Sequence, residues 1–406
     1  QQHAFEKSGG RFNNFSENAT DLVAKGATAE AARGKLLEEV RGNFKAMLAA
    51  KTAGQPFAYW FGPTTTHRTW VRGSGQKLWG LDPDALKGKL PAFLPDVPVV
   101  REDLADYLGE VQALDAAMGV LLEELDRAGE RSKTLIAVSG DHGAPGFPHG
   151  KCNLYGFGTG VSLIVSGAGV RGGRVVDDMV TLPDLAPTFL EAGGVKPPAV
   201  MTGRSLWNVL QSDRQGQVDP TRTWVVAGRE RHVEIARPDY SPYPQRALRT
   251  QDHVLIVNFK PDRWPLGNPY RLDGTDEPTF AELAQATFVT LPDDDAGPTK
   301  AWFVGARKSP EWSALFDKFY GRRPMFELYD LKADPHEMNN VAESPAYAAV
   351  RKEMTERLFT ILRETGDPRM LEDGKYFETP PLAGPLPNQG QKRLPGGQAA
   401  KKAKKK

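Results

Sequence analysis

Residues 134–165 read TLIAVSGDHGAPGFPHGKCNLYGFGTGVSLIV, and this stretch decides the fold class. Its two apolar runs, Thr134–Ser139 and Val161–Val165, are short enough and apolar enough to be buried strands. Helical patterns flank them, with an apolar stripe over Arg101–Ala128 and a shorter pattern at about Pro183–Ala192. This alternation predicts an α/β fold with a mostly parallel sheet flanked by helices on both faces.

Upstream, the sequence predicts a loop, a helix and a further strand. Gln1–Ser16 is polar and glycine-bearing, which is typical of a loop. Thr28–Ala50 has apolar residues mostly at three- and four-residue steps, with Thr28 placed to cap the helix. Phe57–Phe61 (FAYWF) is predicted to be a buried strand that ends at Gly62-Pro63.

Downstream of residue 227 the predicted strands become shorter and pair with one another. They are followed by a terminal helix at Ala346–Glu364, so we predict a smaller α+β module with a short antiparallel sheet. The expected domains are therefore 1–227, an α/β domain, and 228–379, the α+β module. Residues 380–406 are rich in Pro, Gly and Lys and are expected to form a disordered tail.

Charge and composition exclude several classes of protein. The 406 residues contain 52 Lys plus Arg and 51 Asp plus Glu, and five of the lysines lie among the last six residues. A nearly neutral chain argues against nucleic-acid binding. The single cysteine, Cys152, excludes an intramolecular disulfide framework. No run of 18 apolar residues and no signal-peptide pattern occurs, so no membrane segment is predicted.

Polar side chains follow two of the predicted strands. Asp141 and His142 come directly after Thr134–Ser139, and His67 follows Phe57–Phe61. Ligands of open α/β sheets bind beyond the carboxyl ends of the strands, so these three side chains are expected at one rim. A carboxylate beside an imidazole can ligate a divalent cation. The alternative is that Asp141 caps a turn and His142 is a hydrogen-bonded loop residue.

Lys151 adds a cation nine residues after His142. An ammonium group suits an anionic oxygen held near a metal. The alternative is a solvated loop lysine.

Several ordered motifs resemble the sulfatase family of the alkaline-phosphatase-like superfamily. They are SGDHG…HGKCNLYGFGTGVSLIV, VDDMVTLPDLAPTFLEAGG, TGRSLWNVL and the upstream FAYWFGPTTTHRTW. The downstream stretches ERH (230–232), YPQRALRT (243–250) and ELYDLKADPHEMNNVA (327–342) are most similar to the sulfamidase, or N-sulfoglucosamine sulfohydrolase, branch. The resemblance covers roughly residues 55–367.

This resemblance implies a hydrolase that releases sulfate from a sulfated sugar at a site with a divalent metal and a formylglycine. Asp141 and His142 would ligate the cation. Calcium is the first expectation, and the imidazole of His142 also suits Mn²⁺ or Zn²⁺. Lys151 would contact the sulfate oxygens, His67 would act as general acid toward the leaving group, and Arg68 would help to hold the anionic substrate.

The resemblance also implies substrate-recognition roles for Glu230, His232 and Arg246, for which the alternative is a structural ion pair. Gln1-Gln2-His3 resembles the end of the family's Gly-Lys-x-His segment, which makes His3 a tentative site residue. The family's location implies a periplasmic, secreted or lysosomal protein whose partner is a sulfated carbohydrate.

One departure from the family pattern bears on activity. The family nucleophile lies in a Cys/Ser-x-Pro-x-Arg motif that follows an Asp-Asp pair, and neither occurs here in the required place. Cys152 is followed by Asn-Leu-Tyr and is expected to be a buried side chain. We therefore expect an N-terminally incomplete chain that is inactive alone. The other hypotheses are a phosphonate or phosphodiester hydrolase of the same superfamily and a non-catalytic carbohydrate-binding relative.

Overall fold

The computed structural model describes residues 10–52 and 54–379. His3 and the tail predicted over 380–406 lie outside the described residues. The α-helices, numbered in chain order, are α1 (Gly10–Asn13), α2 (Phe15–Ala24), α3 (Ala29–Ala50), α4 (Ser74–Trp79), α5 (Pro98–Arg127), α6 (Gly156–Thr159), α7 (Leu185–Ala192), α8 (Trp207–Gln211), α9 (Phe280–Gln285), α10 (Pro298–Ala306), α11 (Ser313–Tyr320), α12 (Ala348–Glu364) and α13 (Lys375–Glu378).

The strands form a two-stranded and a four-stranded sheet within the described residues. They are β1 (Leu135–Ser139), β2 (Leu163–Gly167), β3 (Val225–Arg229), β4 (Gln245–Arg249), β5 (His253–Asn258) and β6 (Phe326–Asp330). β1 and β2 pair antiparallel, and β3-β4-β5-β6 follow one another as antiparallel neighbours. No helix of the described part of the chain has the length and apolarity needed to cross a membrane.

The chain divides into two compact units. The first unit holds residues 10–144 and 161–221, and the second holds residues 145–160 and 222–379. The second unit begins near the boundary predicted after residue 227. It also includes the segment 145–160, which follows the Gly-Asp-His-Gly motif in sequence.

The core of the first unit is built from α2, α3 and α5. Thr28 caps α3, because its side chain accepts a hydrogen bond from the Ala31 N–H at 3.1 Å. Leu36, Val40 and Phe44 repeat at four-residue steps and are at most 3% exposed. They pack in one apolar cluster with residues of α5. Burial of each such side chain contributes about 1.5–3 kcal/mol.

Two local predictions for the first unit were wrong. The segment predicted as a loop up to Ser16 contains α1 and the start of α2, because Phe12 and Phe15 insert into the core and are 2% and 1% exposed. Phe57–Phe61 alternates between half-buried and exposed residues as a strand does, but it belongs to neither sheet of the described residues. Its inward side chains pack on the helical core instead.

The α/β class is confirmed, whereas the pairing direction predicted for β1 and β2 is corrected. Parallel neighbours need a crossover connection, usually a helix that covers the face of the sheet. The connection from β1 to β2 passes through residues 145–160 of the second unit, where its helix in the described residues is the four-residue α6. The chain therefore returns antiparallel, with Leu135 opposite Gly167.

The four-stranded sheet of the second unit is buried on both faces, and the predicted antiparallel sheet with a packed helix is confirmed. Leu248, Leu255 and Leu328 contact the α12 side. The alternate residues of the same strands pack against Leu154 and Tyr155 on the other face. These two side chains explain why the segment 145–160 belongs to this unit.

Candidate functional site

Asp141 and His142 follow β1 directly, in the turn that begins at Gly140. Their side chains are 86% and 36% exposed, and His142 Nε2 lies 3.3 Å from Asp141 Oδ2. His142 Nδ1 donates to the Gly143 carbonyl oxygen at 2.9 Å. Because that oxygen can only accept, the neutral ring carries its proton on Nδ1 and a lone pair on Nε2. The pair therefore presents one carboxylate and one imidazole nitrogen, which is a donor set for a divalent cation.

The pair does not make a complete metal site. The residues that the structure describes contain no group of three or more His, Cys, Asp or Glu side chains that could hold a metal ion. Asp141 and His142 fit a cation as two of its ligands, since their donor atoms are close enough to share one ion. Further ligands have to come from groups other than these two.

His67 and Arg68 lie in the turn after residues 57–61. His67 is exposed, and its Nδ1 donates to the Arg68 carbonyl oxygen at 2.7 Å. Because a carbonyl oxygen can only accept, the neutral ring carries its proton on Nδ1 and a lone pair on Nε2. The Arg68 guanidinium is only 4% exposed and binds Asp103 through two hydrogen bonds of 2.6 and 2.8 Å. The first unit thus uses Arg68 in a buried bidentate ion pair.

Aromatic side chains connect Arg68 to the neighbourhood of Asp141. The Arg68 guanidinium lies 3.9 Å from the Trp70 ring centroid, and the Trp70 and Tyr107 rings are 5.4 Å apart. Burial raises the pKa of the Tyr107 phenol, and the negative charge of Asp141 raises it further. The segments that follow the two predicted strands therefore both lie near Tyr107.

Lys151 belongs to the second unit, where it is buried. Its side chain is 9% exposed, and Nζ lies 3.0 Å from Asp295 Oδ2, whose side chain is 11% exposed. Two non-glycine residues with left-handed backbone surround it, His149 at φ 61° and Cys152 at φ 71°. Such conformations cost roughly 1–2 kcal/mol each and are concentrated at functional sites. The alternative of a solvated loop lysine does not describe this residue.

His232 is near enough to Lys151 to respond to its charge. The pKa of His232 is lowered from its ordinary value, first by partial burial and then by the Lys151 ammonium. Asp293 and Asp295 oppose that effect, whereas Arg229 adds to it. The second unit therefore brings together two predicted site residues, Lys151 and His232.

Glu230 and Arg246 are also brought together, as members of an ion-pair network. Arg246 Nη2 lies 2.9 Å from Glu230 Oε1, and two further hydrogen bonds of 2.6 and 2.9 Å join Arg246 to Asp367. Glu230 also binds Arg369, whose side chain is fully buried. This arrangement matches the structural alternative given above for both residues, and it links the segment after α12 to β4 and to the residue that follows β3.

Cys152 has the properties expected of a structural cysteine. Burial raises the pKa of its thiol to about 12, so the thiolate is scarce at neutral pH. The main-chain oxygen of Cys152 accepts a hydrogen bond from Arg229. These features agree with a packing role.

The residues that sequence reasoning missed are mostly acidic partners of the predicted cations. Asp103 pairs with Arg68, Asp367 with Arg246, and Asp295 with Lys151. Asp295 belongs to the run Asp293-Asp294-Asp295, which was the one available signal in the sequence for an acidic partner of Lys151.

Comparison with known proteins identifies two regions of the chain. A model of the Sulfatase family matches residues 9–195, and a model described as N-sulphoglucosamine sulphohydrolase, C-terminal, matches residues 313–364. Human N-sulphoglucosamine sulphohydrolase is 31% identical over 299 residues, which cover 70% of this chain and 52% of the human protein. An ulvan-active sulfatase of Formosa agariphila is 24% identical over 72% of this chain and 43% of its own length.

The chain spans about half the length of these curated relatives. Among solved structures, the phosphonate monoester hydrolase of Agrobacterium radiobacter superposes with a TM-score of 0.51 at 16% identity. That superposition covers 84% of this chain and 62% of the hydrolase. At such low identity the likeness concerns the fold alone.

Proposed function

Because the chain belongs to the sulfatase family, we propose that it is part of a hydrolase that releases sulfate from a sulfated sugar. The substrate would carry the sulfate on the nitrogen of a glucosamine or on a sugar hydroxyl. The N-linked form is favoured by the match of residues 313–364 to the N-sulphoglucosamine sulphohydrolase C-terminal model. The O-linked form has support from an N-acetylglucosamine-6-O-sulfatase of Bacteroides thetaiotaomicron, which is 26% identical over 64% of this chain.

The observation that carries the proposal is the order of the matches along one chain. A sulfatase match precedes a sulfamidase C-terminal match, and both agree with the 31% identity to the human sulfohydrolase. Members of the family use a divalent metal ion and a formylglycine. The motif that would carry the formylglycine does not occur here in its family position, so the chain alone is proposed to be inactive.

We assign Asp141 and His142 as two ligands of one divalent cation, with Ca²⁺ preferred and Mn²⁺ or Zn²⁺ as the alternatives. The accessible carboxylate of Asp141 suits the hard Ca²⁺ ion, whereas the Nε2 lone pair of His142 suits all of the transition metals named. A cation bound there would stabilise negative charge on the sulfuryl oxygens.

Lys151 and His67 have separate proposed tasks. The Lys151 ammonium would stabilise the negative charge of the sulfuryl oxygens, which is worth more in a desolvated setting than in water. His67, protonated on Nε2, would give that proton to the nitrogen of a departing amine or to the oxygen of a departing alcohol. Its exposure leaves room for a substrate group to approach.

Most of the remaining predicted residues are proposed to act without direct contact with the substrate. His232 is proposed to face the sugar beside Lys151. Arg68, Glu230 and Arg246 are proposed to shape the site through their ion pairs, because their charges are already matched inside the fold. The role of His3 stays a prediction.

The family also bears on location and partners. A sulfated carbohydrate is the proposed partner, and a non-cytoplasmic location is proposed, whether periplasmic, secreted or lysosomal. The extracellular sulfatase homolog of Drosophila melanogaster is 37% identical over 26% of this chain, which agrees with export.

The test compares this chain with the full natural protein. Both are assayed for bound calcium, manganese and zinc, and for release of sulfate from N-sulfated glucosamine and from a nitrophenyl sulfate. A phosphonate monoester is assayed in parallel, because phosphoryl and sulfuryl groups are both tetrahedral anions. The expected result is sulfate release by the full protein with one metal ion bound.

Two other outcomes would replace this proposal. Faster hydrolysis of the phosphonate ester than of either sulfate would favour the phosphonate or phosphodiester hydrolase. A full protein that binds sulfated sugar but holds no metal and releases nothing would be a non-catalytic carbohydrate-binding relative.

A further inference from the structure

A buried acidic segment, Asp293–Asp295, lies beside Lys151 in the second unit. Its three residues are 2%, 4% and 9% exposed. The buried Lys300 fixes its main chain, because Nζ donates to the Asp294 carbonyl oxygen at 2.6 Å. The Tyr320 hydroxyl donates to Asp294 Oδ2 at 3.0 Å. These contacts hold the main chain and the middle carboxylate of the segment.

Each outer carboxylate contacts a different part of the Lys151–His232 region. Asp293 Oδ1 accepts a hydrogen bond of 2.9 Å from the N–H of Val233, the residue after His232. Its Oδ2 accepts one of 2.5 Å from Arg237. Asp295 Oδ2 lies 3.0 Å from Lys151 Nζ. One short segment thus fixes the main chain beside His232 and the ammonium of Lys151.

We propose that Asp295 is a positioning residue, which holds the Lys151 ammonium beside His232 so that both face the anionic end of the substrate. This inference rests on the proposed function. It also adds a role for a carboxylate that was not among the predicted site residues.

The physical reason is the flexibility of lysine. Its four-carbon stem and three rotatable N–H donors give the ammonium many positions, unlike the planar guanidinium of arginine. A buried ion pair with a fixed carboxylate removes most of these positions before substrate arrives. An ammonium placed in advance stabilises developing negative charge without reorganisation.

The electrostatic setting of His232 supplies a reporter of where Lys151 lies. Burial, Lys151 and Arg229 lower the pKa of His232, and Asp293 and Asp295 raise it. Removal of the Lys151 charge therefore raises that pKa. The size of the rise depends on how close the ammonium is to the ring.

The experiment is a double-mutant cycle read by NMR of the chain labelled at histidine. Lys151→Met is made in the wild-type background and in the Asp295→Asn background, and the His232 pKa is measured in all four proteins. If Asp295 holds Lys151 in place, the rise caused by Lys151→Met in the Asp295→Asn background is less than half of the rise in the wild type. Equal or larger rises would overturn the proposal.

The matched control is Asp252→Asn, which breaks an exposed ion pair with Lys332 in the same unit. In that background Lys151→Met should raise the His232 pKa as much as in the wild type. Circular dichroism establishes that each variant is folded. Asp295→Glu replaces Asp295→Asn if the latter does not fold, because it keeps the charge and displaces the carboxylate by one methylene.

A kinetic readout on the full natural protein separates this inference from the proposed function. Asp295→Asn should lower kcat for sulfate release by about 10- to 100-fold with little change in KM, as expected for a misplaced charge. Asp295→Glu should restore part of the loss. An unchanged kcat would overturn the positioning role. If the wild-type protein releases no sulfate, the proposed function fails, and the NMR cycle alone decides whether Asp295 positions Lys151.

Discussion

Two predicted site regions of the first unit differ sharply in how the fold treats their charges. Asp141 and His142 lie after β1 with side chains that are 86% and 36% exposed, whereas Arg68 and Asp103 form a pair that is 4% and 2% exposed. Asp141, His142 and Arg68 were all predicted site residues. Each region contains a carboxylate close to a basic side chain, at 3.3 Å for Asp141 and His142 and at 2.6 Å for Asp103 and Arg68. In these two regions, burial separates the pair that a ligand can reach from the pair whose charges the fold already uses.

The buried acids on one face of α5 differ from one another in how well partners match their charges. Asp103, Asp106 and Glu110 are all at most 2% exposed, although they lie on a helix surface that carries many solvated charges. Asp103 has a cationic partner, Asp106 accepts the N–H groups of Gly73 and Gly75, and Glu110 accepts the N–H of Ser16 with Oε1 while its Oε2 has no hydrogen-bond partner among the described residues. The three acids therefore range from well matched to poorly matched.

The largest expected effect comes from breaking the buried pair. Arg68→Met leaves the Asp103 carboxylate buried without its counter-ion, so the free energy of unfolding should fall by about 3–5 kcal/mol. Urea unfolding measures the change. The matched control is Arg72→Met, because Arg72 has a side chain that is 60% exposed and pairs with Glu102, the neighbour of Asp103 on α5. That variant should lose less than about 1 kcal/mol, and equal losses would contradict the role of burial.

Glu110 should give an effect nearly as large, but one that depends on pH. Burial raises the pKa of its carboxyl to about 7 from 4.5, and Oε2 has no hydrogen-bond partner among the described residues. The folded state therefore holds this proton more tightly than the unfolded chain. The resulting stabilisation is complete below pH 4.5 and is lost as the pH rises through about 7.

The loss amounts to roughly 3 kcal/mol for a shift of this size. Glu110→Gln keeps an acceptor for the Ser16 N–H and removes the charge, so its stability should fall less than that of the wild type between pH 4.5 and pH 8. Urea unfolding at both pH values tests this. Glu123→Gln, on the exposed face of α5, should leave the wild-type pH dependence unchanged. If the free energy of unfolding changes equally with pH in Glu110→Gln and in the wild type, ionisation of the Glu110 carboxyl does not destabilise the fold.

The sequence allowed the prediction of features that depend on near neighbours. The spacing of Leu36, Val40 and Phe44 predicts which face of α3 is buried. Asp141 and His142 are adjacent in sequence, which predicts that their side chains lie close together. The direction of β1–β2 pairing could not be read in this way, because it depends on where the connecting segment packs. FAYWF has the alternation of a strand, but a strand also needs a partner, which no local pattern supplies.

Long-range charge pairing was the other feature that the sequence concealed. Arg68 was expected to hold the anionic substrate because of the family resemblance, and nothing near it in sequence revealed its partner, Asp103 on α5. For Lys151 the alternative to a sulfate contact was a solvated loop lysine, whereas the folded chain places Asp295 Oδ2 3.0 Å from its Nζ. A cation without a local partner is thus ambiguous in sequence, because its partner can lie far along the chain.

The smallest expected effect on stability is at the exposed pair Asp141 and His142. A substitution there should alter metal binding rather than the free energy of unfolding. Asp141→Asn should alter the free energy of unfolding by less than about 0.5 kcal/mol, because the carboxylate is mostly in solvent. It should weaken binding of Ca²⁺ by the full natural protein by roughly tenfold or more in calorimetric titration, since one charged ligand becomes a neutral amide. Asp126→Asn, an exposed acid of the same unit, is the control and should change neither quantity. If Asp141→Asn destabilises the fold but binds Ca²⁺ as tightly as the wild type does, Asp141 has a structural role, as Arg68 and Asp103 have. The contrast between the two regions then disappears.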